Sequence, residues 1–267
     1  MPVASAPHHA SAGNLAAVPE PLAGNGLTVP VLVAPEVARA QSGGAPVVAL
    51  ESTLLAHGLP RPGNLEVARR IEAVVRACGA VPATIAVLDG VVRVGLDDAA
   101  LERVCAEQGL SKLGVRDLPV ALALGRSGAT TVSSTALLAT RAGIAVFATG
   151  GLGGVHRGGG YDESADLRAL AELSLVVVCA GVKSILDVEA TLERLESSSV
   201  TLLGYRTDRF PGFYLNDSGF GLDWRVETAA EVADVFALGR ALGDGAVVVA
   251  NPLPEPEQVE PALHDRV

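Results

Sequence analysis

Two side chains in this sequence stand where a reactive group would be useful, and a third is placed to hold an anion for them. Lys183 lies in V-V-V-C-A-G-V-K-S-I-L-D, Val176 to Asp187. The run Leu175 to Val178 reads as a strand buried on both faces, and Cys179, Ala180 and Gly181 read as a turn. Ser184 reads as the cap of a helix opened by Ile185 and Leu186. Lys183 then falls between a strand's C-terminal end and a helix start, where open α/β sheets collect ligands. Partial desolvation and the helix dipole would both favour the neutral amine there. A neutral amine attacks carbonyls, so the chemistry expected is a Schiff base; a solvated lysine at a loop edge is the plain alternative.

Glu51 directly follows Val47 to Leu50 in E-S-T-L-L-A-H-G-L-P, at the end of another expected strand. With Ser52, Thr53 and His57 close behind, it suits a general acid or base, against the alternatives of a surface charge or a helix cap partner. Lys112 belongs to S-K-L-G-V-R-D-L-P with Arg116 and Asp117. This is either a polar connection in which Asp117 caps the helix Leu118 to Leu124, or an anion-binding loop. Gly128 to Thr135, G-A-T-T-V-S-S-T, reads as opening a helix through Arg141. Its N–H and hydroxyl groups suit phosphate, or simple capping by Ser133 or Ser134. Thr149 to Gly160 is so rich in glycine that its backbone can approach a ligand or stay mobile, and its obvious cations are His156 and Arg157. Tyr161 to Asp166 starts a helix through Leu173, with Asp162 as its cap or as an oxygen ligand for a divalent cation.

Strands must end beside these groups. Pro46 to Leu50 delivers Glu51, Ile144 to Ala148 the Gly-rich loop, Leu175 to Val178 Lys183, and Ala246 to Ala250 leads to Asn251-Pro252-Leu253-Pro254. Helices are expected over Glu36 to Ala40, from an Asn64 cap to Ala77, over Asp97 to Gln108, from the Lys183 segment to Glu196, and over Ala229 to Leu242. Thr84 to Leu88 and Val91 to Val94 flank a hairpin turn at Asp89-Gly90, Val200 to Leu203 is a strand, and Phe210 to Leu215 an edge segment. This alternation predicts a three-layer α/β/α fold. Residues 1–28, rich in Ala, Pro, Gly and Ser and carrying His8-His9, read as a disordered leader. Residues 29–255 read as a single α/β/α catalytic domain and 256–267 as a frayed tail.

Composition narrows the class. Of 267 residues, 49% are hydrophobic but only 3% aromatic, so the core must be Val, Leu, Ala and Ile between layers. The formal net charge of −10 argues against a nucleic-acid partner and requires a local cationic pocket for any anionic substrate. Cys78, Cys105 and Cys179 are far apart with no C-x-x-C, as free thiols in a reducing cytosol would be. No apolar run reaches the length of a membrane span and no signal peptide is recognisable, so a cytoplasmic protein without a membrane partner is expected. The match to G-x-G-x-x-G is poor and a P-loop is absent, so neither a dinucleotide nor ATP is indicated.

Read together, V-A-L-E-S-T-x-x-A-H-G, R-D-L-P, G-A-T-T-V, F-A-T-G-G-x-G-G-V-H-R-G, S-A-D-L, V-V-C-A-G-x-K-S-I-L-D and V-V-A-N-P-x-P-E resemble the pseudouridine-5′-phosphate glycosidase family, also called indigoidine synthase A-like, from Pro35 to Glu255. The resemblance implies a three-layer α/β/α core with a mixed, mostly parallel central sheet. It implies reversible cleavage of pseudouridine 5′-phosphate to uracil and ribose 5-phosphate, with Lys183 as nucleophile and Glu51 as proton donor. Lys112, the backbone at Val132, and Ser164, Ala165 and Asp166 match substrate contacts, and Asp162 matches the ligand of a divalent metal, usually Mn²⁺, held largely through water. His156 is added as a phosphate or ribose contact from its place in the Gly-rich loop. A homotrimer is implied as well. A carbon–carbon glycosidic bond offers no leaving oxygen or nitrogen, so the two-carboxylate scheme of ordinary glycosidases does not fit, and an iminium between C1′ and a lysine supplies the electron sink instead. The Gly159-Gly160-Tyr161 loop is shorter than the family's, and the chain stops soon after N-P-L-P-E, where relatives continue with T-P-F-L and N-N-A-like motifs. A truncated homologue that binds sugar phosphate with weak or no catalysis is therefore the alternative expectation.

Overall fold

The structure, a computed structural model, describes residues 23–24, 27–158, 160–243 and 245–260. In chain order it begins with β1 (Ala23–Gly24), β2 (Leu27–Thr28), β3 (Val31–Val33), α1 (Pro35–Gly43), β4 (Val47–Leu50), α2 (Asn64–Ala77), β5 (Val81–Leu88) and β6 (Val91–Val94). It continues with α3 (Asp98–Ala106), β7 (Ser111–Leu113), α4 (Leu118–Ala123), β8 (Gly128–Thr130), α5 (Val132–Arg141), β9 (Val146–Ala148), β10 (Val155–His156) and α6 (Ala165–Glu172). The last elements are β11 (Val176–Cys179), β12 (Leu186–Asp187), α7 (Val188–Ser197), β13 (Thr201–Tyr205), β14 (Arg225–Val226), α8 (Ala229–Leu242) and β15 (Val247–Ala250).

The central sheet is 11-stranded, with the order β14-β13-β15-β11-β9-β4-β5-β6-β3 and β7-β8 attached to β5. From β14 to β5 every pairing is parallel, and the β5–β6 and β5–β8 pairs are antiparallel. The sheet is thus mixed and mostly parallel, and helices flank both faces, as the alternation predicts. Apolar, β-branched strands need cover on both sides. One side is complete: Ala49, Phe147, Val177 and Val248 are fully buried, packed with residues of α1, α5, α6 and α7. On the other side, between α2 and α8, Val48, Val146, Ala148 and Val178 are only half-buried.

Several local expectations change. Leu186–Asp187 pairs with β10, so the helix after Lys183 begins at Val188, and its cap is Asp187, whose carboxylate accepts the Ala190 N–H at 3.0 Å. Ser184 is not that cap, and Lys183 lies in the turn before β12 rather than against a helix start. Gly128–Thr130 is a strand because both β5 and β7 pair with it, and Lys112 accordingly stands on β7 rather than in a loop. Asn64 is inside α2, where its Nδ2 donates to the carbonyls of Leu55 and Cys105 at 2.8 Å each. Ser164, not Asp162, caps α6, accepting the Asp166 N–H at 3.2 Å. Asp117 reaches back to the Gly114 N–H at 2.9 Å instead of capping α4. Phe210 to Leu215 is a loop joined to the sheet region by a Gly181–Gly212 bridge. The His8-His9 leader through residue 22 and the tail from residue 261 lie outside the described residues.

Candidate active site

Register assembles the reactive groups. Leu50 pairs with Ala148 and Ala148 with Val178, so the residues that follow, Glu51, Thr149 and Cys179, emerge side by side at the C-terminal edge of β4, β9 and β11. Glu51 is buried, and the Thr149 hydroxyl donates to its Oε1. A cleft of about 490 Å³ opens above this edge, and Glu51, Lys112 and Lys183 all line it.

Lys183 is held by its backbone. Its N–H donates to the Leu152 carbonyl at 3.1 Å, and its own carbonyl accepts the Leu186 N–H at 3.0 Å. The Gly-rich loop and the lysine turn are therefore one unit, further joined by the β10–β12 pair. Gly181 makes the turn possible: it has φ 104°, and a Cβ there would overlap the Pro211 carbonyl. Lys183 itself is half-buried.

Asp166 is the second buried carboxylate of the cleft, and both of its oxygens are occupied. Oδ1 accepts the Ser133 N–H and Oδ2 the Gly153 N–H, each at 2.8 Å. It thereby ties the start of α5 to the Gly-rich loop, and a side chain at Gly153 would collide with it and with Ser164. The hydroxyls around it divide into two groups. Ser52, Thr53 and Thr130 bond the carbonyls of Ile85, Thr130 and Ile85, and Ser134 bonds that of Leu113, so these join β4, β5, β7 and β8. Thr131 and Ser133 line the cleft, and Thr53, though its hydroxyl is donated to a carbonyl, lines it as well.

The rim is exposed and charged. Lys112, Arg116, His156 and Asp162 line it, with Ser164 and Ala165 beside them. Val132 is not in the lining: its side chain is buried in the core, between Thr131 and Ser133. Arg157 turns its guanidinium onto the carbonyls of Leu186 and Ser184, away from the cleft, and His57 is exposed outside it. Thr149 carries no motif signal of its own, although the rule that identifies Glu51, the first residue past a parallel strand, applies equally to it.

Among the described residues no three His, Cys, Asp or Glu side chains gather into a metal cage. Asp162 offers one exposed oxygen ligand, with His156 Nδ1 3.9 Å away, a set that suits a hard cation keeping most of its waters.

Burial pushes the Glu51 carboxyl above the usual carboxylate range; the charge of Lys183, the Thr149 hydroxyl and Lys112 oppose that rise, and Asp166 adds to it. A carboxyl that retains its proton above the ordinary glutamate range can donate it. A donor of this kind and a primary amine in one cleft, with cations at its mouth, can form and break a carbon–nitrogen double bond on an anionic carbonyl compound.

The model of the family "Indigoidine synthase A like protein" matches residues 36–267. The pseudouridine-5′-phosphate glycosidase of Streptomyces griseus is 61% identical over 240 residues, 88% of this chain and 74% of the relative. That of Frankia alni is 60% identical over 240 residues, 89% of this chain and 66% of the relative. Among solved structures, the indigoidine synthase A-like protein of Thermotoga maritima matches with a TM-score of 0.81 and 38% identity, over 89% of this chain and 78% of that one. The prealnumycin C-glycosynthase AlnA, solved with ribulose 5-phosphate, matches with a TM-score of 0.81 and 40% identity, over 88% of this chain and 77% of that one. The chain belongs to the indigoidine synthase A-like family, together with the pseudouridine-5′-phosphate glycosidases that it resembles over most of its length.

Proposed function

We propose that this protein is a pseudouridine-5′-phosphate glycosidase that makes and breaks the C–C glycosidic bond through a Schiff base on Lys183. The observation that carries the reading is the convergence of Glu51, Lys183 and Lys112 on one cleft. The names of its relatives supply the substrate, and a relative solved with ribulose 5-phosphate supports a pentose phosphate as ligand.

In the bond-making direction, Lys183 Nζ adds to the C1′ aldehyde of open-chain ribose 5-phosphate and water leaves, giving an iminium. Uracil C5 donates an electron pair to C1′, and its proton passes to the Glu51 carboxylate. The 4′-hydroxyl then closes on C1′ and expels the amine. Cleavage retraces these steps: the nitrogen lone pair drives out uracil, and C5 takes the proton of the Glu51 carboxyl. Lys112 serves the phosphate as a point charge, with the α5 start at Val132, the segment Ser164, Ala165 and Asp166, and His156 completing the binding of the sugar phosphate. Remote contacts of this kind orient C1′ for attack. Because both Asp166 oxygens are already engaged, its part is to hold the Ser133 and Gly153 backbones that shape the site. A divalent cation such as Mn²⁺ would sit at Asp162, largely through water, and supply positive charge beside the phosphate.

We read the protein as cytoplasmic, in keeping with free Cys78, Cys105 and Cys179. No helix among the described residues is long and apolar enough to cross a membrane. A homotrimer, as the resemblance implies, would be checked by light scattering. The direct test of function is uracil release from pseudouridine 5′-phosphate with Mn²⁺. Failure to turn over in either direction at stoichiometric enzyme contradicts the reading, and ribose 5-phosphate binding without turnover would leave a sugar-phosphate-binding protein.

A further inference from the structure

We propose that Thr149 is a positioning residue for Glu51: by donating to Oε1 it leaves Oε2 as the oxygen that carries and delivers the acidic proton. The proposal rests on the reading of Glu51 as proton donor.

The contact follows from the sheet. Thr149 comes one residue after β9 in register with Glu51 after β4, and its backbone is fixed, with its N–H donating to the Val178 carbonyl at 3.0 Å. The next residue is held too, since the Ala180 N–H donates to the Gly150 carbonyl at 3.1 Å. A β-branched side chain on such a backbone has little rotamer freedom, so its hydroxyl is delivered to one place. A hydroxyl carries a single hydrogen. Donated to Oε1, that hydrogen draws electron density from Oε1 and makes it the poorer seat for the acidic proton, so the carboxyl proton is assigned to Oε2.

Two observations support this division. Oε2 accepts no hydrogen bond among the described residues, yet it is not among the buried polar atoms left without a partner. It is therefore open to a ligand. Behind the pair lies an apolar cavity of about 240 Å³, lined by Leu50, Leu54, Leu55, Ala68 and Ile71. The other hydroxyl on that side, Thr84, is donated to Glu72 Oε1 at 2.6 Å. Among the described residues lining that cavity, no side chain besides Thr84 carries a hydroxyl or N–H to take over the task of Thr149.

Thr149→Val removes the hydroxyl while keeping the branched shape, and Thr149→Ser keeps the hydroxyl. The first readout is ¹³C NMR of the ligand-free protein labelled at glutamate carboxyls, with the Glu51 signal identified by its loss in Glu51→Gln. A donor to the carboxylate favours the ionised form, so the valine variant should titrate at higher pH than the wild type and the serine variant close to it. The second readout is kcat, expected to fall about ten- to hundredfold in the valine variant with KM nearly unchanged and to recover with serine. An unmoved Glu51 titration in a folded valine variant overturns the proposal, as does a serine variant that behaves like valine. Thr149→Ala serves as the hydroxyl-free variant if valine does not fold. Because the titration needs no substrate, it decides the Thr149 contact separately from uracil release, and a wild type without turnover would defeat the functional reading alone.

Discussion

On the inner wall of the cleft, Glu51 and Asp166 are buried carboxyls held by the Thr149 hydroxyl and by the N–H groups of Ser133 and Gly153. On the rim, Lys112, Arg116, His156 and Asp162 stand exposed, and the ion contacts there are long, 3.5 Å for Arg116–Asp117 and 3.9 Å for His156–Asp162. The inner wall is preorganised, because a buried charge without partners is too costly to persist. The rim is solvated and adaptable, suited to attracting and seating a phosphate rather than to moving a proton. Half-buried Lys183 lies between the two, fixed by its backbone. Substitutions should therefore cost most at the inner wall and at Lys183, and least at the rim.

The sharpest break of that pattern is Glu51→Gln. It keeps the shape but removes the proton, so kcat should fall by about 10²- to 10⁴-fold in a uracil-release assay. Its effect on stability should be opposite. Burial raises the Glu51 pKa, so the folded state holds a proton that the unfolded chain releases once pH passes the ordinary glutamate range. From there up to the raised folded value the wild type loses stability as pH rises, a loss the glutamine variant escapes. Thermal melts should show no advantage for the variant in acid, one that grows as pH rises from the ordinary glutamate range to the raised folded value, and a constant one above that. Asp166→Asn replaces one of two acceptors with a donor that faces an N–H. It should cost about 2–3 kcal/mol, which lowers Tm by roughly 5–10 °C, together with activity. Asp162→Asn tests the rim: Tm should move by less than about 2 °C, while any stimulation by Mn²⁺ should weaken. A large loss of stability in that variant would erase the distinction between wall and rim.

The same contrast explains what could be read from the sequence. Glu51 and Lys183 follow apolar β-branched runs, and parallel strands leave their next residues at one edge, so the two were legible without coordinates. Lys112, His156 and Asp162 are visible in the sequence as candidate anion or cation ligands, each beside a plain structural alternative, and Ser164 and Asp166 only through motif resemblance, since nothing local says that β7, the Gly-rich loop and the α6 start meet. The helix after Lys183 was misplaced because Asp187, a better acceptor than Ser184, captures the Ala190 N–H, while Leu186 is drawn into pairing with His156. G-A-T is strand, not the opening of a helix, because its pairing with β5 and β7 is long-range and overrides local hydroxyl capping signals. Thr149 is not legible in the sequence because its contact with Glu51 comes from register with another strand, which a single segment does not display.

Borohydride reduction with ribose 5-phosphate, followed by peptide mass mapping, tests the central claim most directly. The account predicts one reduced pentose-phosphate adduct, on Lys183, retained in Glu51→Gln and abolished in Lys183→Ala. An adduct on Lys112 instead, or an unlabelled Lys183 in protein shown to bind the sugar phosphate, would contradict it.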